Sequence, residues 1–293
     1  MYSKKPTTRE AYTDDRKIQI AKAESVYNFH DRAVIRMAEW GRSERFPTGW
    51  TQFDEYLYGG FGMRSDGELV VIAGDTKIGK STLVANIALR LANSGAKVHY
   101  MSLENSYDQT YGMLWKVAGT GDEGLFDYKD IITFPPEELI FGEEAWSADT
   151  LIDHMEFQSD ARGTDVFVLD HLNFMFENEE QLGNEINRVR VVMRKLSRFA
   201  VKHKATIICI SHMNKGGIGA SNSRPSVDRI YGSAGIAGAA TKILLLHKPE
   251  QQNPEQKIIE VQLARSRHTK DRDESFQFDA TTTKWRELGI KYL

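Results

Sequence analysis

A single cysteine, Cys209, occurs in 293 residues, so no disulfide can form within the chain. It lies in the apolar run 207–210, which favours a buried, inert thiol in a reducing compartment. No apolar stretch approaches the roughly 18 residues a membrane-spanning helix requires. The opening residues, Met-Tyr-Ser-Lys-Lys-Pro, lack the apolar core of a secretory signal. Together these absences lead us to expect a cytoplasmic protein with no membrane partner. An excess of positive charge is also missing: 38 Lys and Arg stand against 41 Asp and Glu, for a net charge of −3. A globally basic nucleic-acid binder is thereby excluded, and any such contact must come from local basic loops. Hydrophobic content of 41% and charged content of 27% are ordinary for a globular chain, long enough for one large domain or two small ones.

Against this plain background one segment stands out. Residues 74–82 read Gly-Asp-Thr-Lys-Ile-Gly-Lys-Ser-Thr and follow directly on Glu-Leu-Val-Val-Ile-Ala. This is Gly-x-x-x-x-Gly-Lys-Ser between an apolar strand and an amphipathic helix, the context in which such a loop binds phosphate. Gly74 and Gly79 permit unusual dihedrals and close backbone approach. The backbone N–H groups of Asp75, Thr76, Lys77, Ile78, Gly79, Lys80, Ser81 and Thr82 and the positive helix end suit a phosphate chain. Lys80 is expected on the β- and γ-phosphates, and the Ser81 hydroxyl on Mg²⁺. The cofactors expected are therefore ATP, or another NTP or dNTP, and Mg²⁺.

Further polar residues end apolar runs. Val-Phe-Val-Leu-Asp (166–170) finishes on Asp170, a candidate metal-side carboxylate, although many buried strands end in an aspartate that caps a helix. Lys-Val-His-Tyr-Met-Ser-Leu-Glu (97–104) ends on Glu104, which could orient the water attacking the γ-phosphate or serve as a charge favoured by a helix dipole. Ala-Thr-Ile-Ile-Cys-Ile-Ser-His (205–212) leaves His212 beside a Gly/Ser-rich stretch at 214–226. Leu-Ala-Arg-Ser-Arg-His-Thr-Lys-Asp-Arg (263–272) is a dense cationic turn, either a solvated loop or, through Arg265 and Arg267, an arginine finger for a neighbouring nucleotide site.

Strand patterns at 68–73, 97–103, 165–170, 205–211, 241–247 and 257–263 alternate with helical patterns at 81–94, 106–117, 148–158 and 181–203. That alternation predicts an α/β fold with a mainly parallel, twisted sheet over residues 46–293. Ahead of it, residues 1–45 comprise a polar tail and a helical arm, with Val26, Phe29, Ala33, Met37 and Trp40 at helical spacing. The arm either folds onto its own domain or docks on a neighbouring subunit.

In this order the segments resemble the RecA-like ATPase domain of DnaB-type replicative hexameric helicases, including phage primase-helicases and the mitochondrial replicative helicase. Pro-Thr-Gly-Trp-Thr-Gln-Phe-Asp-Glu-Tyr-Leu-Tyr-Gly-Gly-Phe (47–61) is similar to that family's lead-in to its first core strand. Leu-Glu at 103–104, Leu-Asp-His at 169–171, Ser-His at 211–212 and Gly-Ser-Ala-Gly-Ile at 232–236 follow in family order. The resemblance implies Glu104 as catalytic base, Asp170 as the Walker B carboxylate and His212 as γ-phosphate sensor. It implies Arg267 as a finger acting in trans, with Arg265 beside it. Lys215, Arg224 and Arg229 in the loop 213–230 match the channel loop that grips single-stranded DNA, and Phe278 the residue stacking on the base. Lys77 departs from the small residue common at its position, and neither a zinc-binding nor a primase module is expected.

The implied function is that of a compact, phage-type replicative DNA helicase. Such a protein is a ring, hexameric in this family, that hydrolyses ATP at subunit interfaces, moves along single-stranded DNA and works with a primase and a polymerase. Two alternatives are a RecA-like recombination or repair ATPase, and a loader or regulator that uses ATP as a switch.

Overall fold

The computed structural model describes residues 45–62, 67–119, 132–135, 147–177, 183–213, 224–250 and 255–291. All belong to the unit Glu44–Leu293, the larger of two into which the chain divides. The helical arm carrying Val26, Phe29, Ala33, Met37 and Trp40, and Lys215, lie outside the described residues.

Among the described residues, nine strands form one sheet. In chain order they are β1 Glu68–Gly74, β2 Val98–Ser102, β3 Ile132–Thr133, β4 Val166–Asp170, β5 Thr206–His212, β6 Lys242–His247, β7 Ile258–Ser266, β8 Ser275–Asp279 and β9 Arg286–Lys291. Their spatial order is β3-β2-β4-β5-β1-β6-β7-β8-β9. Pairings from β3 to β6 are parallel, and those from β6 to β9 antiparallel. The expected α/β class and mainly parallel sheet are what the chain adopts.

Seven α-helices are described: α1 Thr51–Tyr56, α2 Lys80–Asn93, α3 Tyr107–Ala118, α4 Ala148–Arg162, α5 Asn173–Glu177, α6 Glu185–His203 and α7 Ser233–Ala239. Their ends follow local chemistry. Ser106 and Gln109 form a capping box on α3, and Asn184 caps α6 by accepting from the Asn187 N–H. The helix predicted at 148–158 runs on to Arg162, where Gly163 in the left-handed region stops it.

Each central strand is buried on both faces, which is why its sequence reads as an unbroken apolar run. Along β1, Val70 and Ile72 point into a core shared with α2, α3, the lead-in segment and the C-terminal strands. Leu69, Val71 and Ala73 point into a second core with α4 and α6. At about 25 cal/mol per Å² of apolar surface, each of these Val, Leu and Ile side chains contributes roughly 1.5–3 kcal/mol.

The lead-in segment is part of the first core. Asp54 accepts from the Thr48 N–H at 2.9 Å, the Thr48 hydroxyl at 2.8 Å and the Gly49 N–H at 3.0 Å, fixing the turn ahead of α1. This presents Trp50, Phe53 and Tyr56 to the aromatic side chains of β8.

Candidate nucleotide-binding site

Strand register assembles the site before any long-range contact is considered. Gly74 at the end of β1 is paired with His212 at the end of β5, and Ser102 at the end of β2 with Asp170 at the end of β4. The carboxyl edge of the parallel strands therefore gathers the phosphate loop, His212, Asp170 and the approach to Glu104 on one side of the sheet. Ligands bind at this edge in open α/β sheets.

The loop itself is tightly held. Gly79 has a φ of 110°, and Lys77, at a φ of 63°, is the non-glycine residue that bears the left-handed conformation here. A Cβ on Gly79 would come within 3.0 Å of the Trp285 ring, so glycine is required both for its dihedral and for room. Ile78 is buried in the first core, whereas Asp75, Thr76 and Lys77 face solvent. The Lys80 ammonium bonds the carbonyls of Gly74 and Asp75, both at 2.9 Å, bending the loop around itself. Burial pushes its pKa down, opposed by the charges of Asp170, Asp75 and Glu104. From behind, Asn86 on α2 donates to the Thr82 and Thr283 carbonyls, each at 2.8 Å, and accepts from the Trp285 N–H at 3.1 Å. The hairpin loop between β8 and β9 thus clamps the first turns of α2.

Asp170 is 1% exposed. Burial raises its pKa from 3.8 to about 6, with the charge of Glu104 adding to the rise, while hydrogen bonds from Ser81 and Tyr100 and the Lys80 charge oppose it. The Tyr100 hydroxyl donates to Asp170 at 3.3 Å. A hydroxyl and a carboxylate in contact are a pair of hard oxygen donors, which fits Mg²⁺ held between Ser81 and Asp170.

Glu104, half exposed, lies 3.2 Å from His171 Nε2. The His171 and His212 rings meet edge to face with centroids 4.2 Å apart. Burial lowers the pKa of His171 to about 4, helped by His212 and Lys80, and burial likewise lowers that of His212. Both imidazoles are therefore neutral at pH 7, and His171 can donate a hydrogen bond to the Glu104 carboxylate. Ligand atoms of Glu104, His171 and His212 all lie within 4.8 Å of one another, close enough to share a metal ion. His212 is further fixed through its backbone, whose N–H donates to Asn173 at 3.2 Å. His171 and Asn173 are functional candidates that sequence reasoning passed over. The signal for His171 was its position directly after Asp170 in Leu-Asp-His.

Other expected residues fall elsewhere. Phe278 is fully buried, ringed by Trp50 at 4.7 Å, Phe53 at 4.9 Å, Phe276 at 5.0 Å and Trp285 at 5.9 Å. It has no face left for a base, so its expected stacking role is corrected to a core one. Arg224 and Arg229, expected to grip a strand, are each paired within the domain. Arg224 lies 3.3 Å from Glu260, a buried carboxylate that also accepts from Lys291 at 2.8 Å and Gln277 at 3.1 Å. Arg229 lies 3.7 Å from Asp75 in the phosphate loop. Arg265 and Arg267 are exposed at the opposite end of the sheet, where Ile243 pairs with Arg265 and Lys242 with Ser266. Arg267 donates to the Gly238 carbonyl. Neither reaches the phosphate loop of its own chain.

Residues 54–217 match the family model AAA_25, described as an AAA domain. Among curated relatives, the DNA repair protein RadA of Aquifex aeolicus is 27% identical over 187 residues, 63% of this chain and 37% of RadA. A probable plasmid replicative DNA helicase of Chlamydia muridarum is 25% identical over 262 residues, 83% of this chain and 54% of the relative. The chain thus spans between about a third and a half of these relatives. Among solved structures, one ATPase domain superposes with a TM-score of 0.72 at 17% identity, covering 91% of this chain and all of that one. A DnaB-like replicative helicase superposes with a TM-score of 0.69 at 17% identity, covering 91% of this chain and 68% of that one. The fold is the one shared by these two solved structures.

Proposed function

The chain belongs to the AAA_25 family of AAA domains, and from that premise we propose that it is the ATPase motor of a DnaB-type replicative DNA helicase, moving on single-stranded DNA. The observation that carries this reading is the convergence of Lys80, Ser81, Asp170, Glu104 and His212 on one sheet edge. Lys80 and the loop N–H groups would bind the phosphates, and Ser81 and Asp170 would hold Mg²⁺, whose charge would offset that developing on the phosphates. Glu104, kept in place by the neutral His171, orients and deprotonates the attacking water. His212, paired with Gly74 at the strand ends, would sense the γ-phosphate.

Arg265 and Arg267 project from the end of the sheet remote from their own phosphate loop. They fit the role of fingers for the next subunit in a ring, the arrangement expected of a hexamer. Residues 1–45, ahead of the motor at 46–293, would act as an arm that docks on that neighbour. A primase and a polymerase are the partners such a motor would have in replication.

Similarity to RadA supports a second reading, a repair ATPase that acts on DNA without separating a fork. Release of a labelled strand from a forked duplex decides between them. Displacement that requires ATP and Lys80 favours the helicase. ATP hydrolysis driven by DNA with the fork left intact favours the repair ATPase.

A further inference from the structure

His212 is not alone in linking the phosphate loop to the segment after β5. That segment leaves the sheet at Met213 and returns at Ile230, and the two residues form an antiparallel bridge. The Tyr231 N–H donates to the His212 carbonyl at 3.1 Å. The returning leg therefore runs beside the strand end that carries His212, and Arg229 stands on it, in the short 3₁₀ turn Val227–Arg229.

The surroundings of Arg229 are unusual for a structural arginine. Its guanidinium faces the phosphate loop and meets Asp75 at 3.7 Å, and that carboxylate is more than half exposed. Its Nε is buried and has no hydrogen-bond partner among the described residues. The Arg229 side chain nevertheless keeps 21% of its surface exposed, and a guanidinium with five N–H donors has capacity for a further acceptor. An exposed carboxylate at the long end of ion-pair range holds an arginine weakly. A polyphosphate offers several charged oxygens to the planar fork and competes well for it.

We propose that Arg229 is a phosphate-contacting residue of the nucleotide site, with Asp75 as the internal competitor that phosphate displaces. The proposal rests on reading the loop 74–82 as that site. Its consequence is an asymmetry that a simple tether lacks. Breaking the ion pair from either side would harm a tether alike. Here Asp75→Asn removes a competitor and tightens nucleotide binding, whereas Arg229→Gln removes a ligand and weakens it.

The test is calorimetric titration of the full chain with Mg²⁺ and the slowly hydrolysed analogue ATPγS. We expect Arg229→Gln to weaken binding about tenfold, the scale of one charge-assisted hydrogen bond. Asp75→Asn should tighten it by several-fold, and this gain should vanish in the double variant. Arg229→Lys, which keeps the charge without the fork, should fall between wild type and Arg229→Gln, and guards against a fold defect in the latter. If both single variants weaken binding, the pair is a tether and the proposal fails. If Asp75→Asn still tightens binding in the Arg229→Gln background, the effect is plain repulsion between Asp75 and phosphate, and the proposal again fails. A wild-type chain that binds no nucleotide, or binds it equally after Lys80→Ala, overturns the underlying site as well. Binding that depends on Lys80 but not on Arg229 overturns the Arg229 assignment alone.

Discussion

Asp170 should be a residue at which function costs stability, and replacing it with asparagine measures the cost. Its carboxyl is buried in both cores' shared sheet edge, and its pKa rises from 3.8 to about 6, chiefly through burial. At 1.36 kcal/mol per pH unit, ionising it in the folded protein costs about 3 kcal/mol at pH 7.5. The sign follows from proton binding. Between pH 3.8 and about 6 the folded state holds the proton more tightly than the unfolded state. Its contribution to stability is therefore full below that window and lost as pH rises through it. At pH 5 the penalty has fallen to roughly half. Asp170→Asn removes the charge at nearly constant volume, and the Asn carbonyl can still accept from Tyr100. Its new N–H₂ must find an acceptor, which offsets about 1 kcal/mol or more. Urea unfolding without Mg²⁺ or nucleotide should therefore show the variant more stable than wild type by about 1–2 kcal/mol at pH 7.5, with the gap closing by more than 1 kcal/mol at pH 5. A variant less stable at pH 7.5, or a gap indifferent to pH, would refute the reasoning.

Three other outcomes follow from the same geometry. Protons compete with metal for Asp170, so Mg²⁺ affinity measured by titration should fall as pH drops below about 6. Burial holds His171 at about 4 and lowers His212 below its usual value, so the onset of the loss belongs chiefly to Asp170. Phe278→Ala should lower stability by about 3–5 kcal/mol in a denaturant titration, as for other buried aromatics, and leave the preference among nucleobases unchanged. Arg267→Ala should retain nucleotide binding and lose hydrolysis, and mixing it with Lys80→Ala subunits should restore some turnover. Absence of any restoration in mixed assemblies would count against a finger acting between subunits.

The central strands were legible because burial on both faces leaves a continuous apolar signature, and β1, β4 and β5 match it closely. The strand expected at 257–263 extends to Ser266, where its last residues are partly exposed and no longer read as strand. β8 carries the alternation Ser-Phe-Gln-Phe-Asp, yet Phe278 was read as a base-stacking residue, so its inward period was missed. β9 went unseen because it is an edge strand with mostly exposed side chains, Leu288 and Ile290 among them. Within the site, Lys80, Ser81 and Asp170 could be found because each terminates or follows a buried strand in a fixed motif. What local pattern could not supply was pairing across the fold. By sequence Arg224 and Arg229 belong to a basic loop, and only the fold pairs them with Glu260 and Asp75. Likewise, the contact between His171 and Glu104 joins residues on different strand ends.

Steady-state ATP hydrolysis, with and without single-stranded DNA at low and moderate salt, tests the central claim most directly. The account predicts strong stimulation by DNA that weakens as salt rises and disappears in Lys80→Ala and Glu104→Gln. Turnover that proceeds equally well without DNA would contradict it and point to a nucleotide-switched loader or regulator.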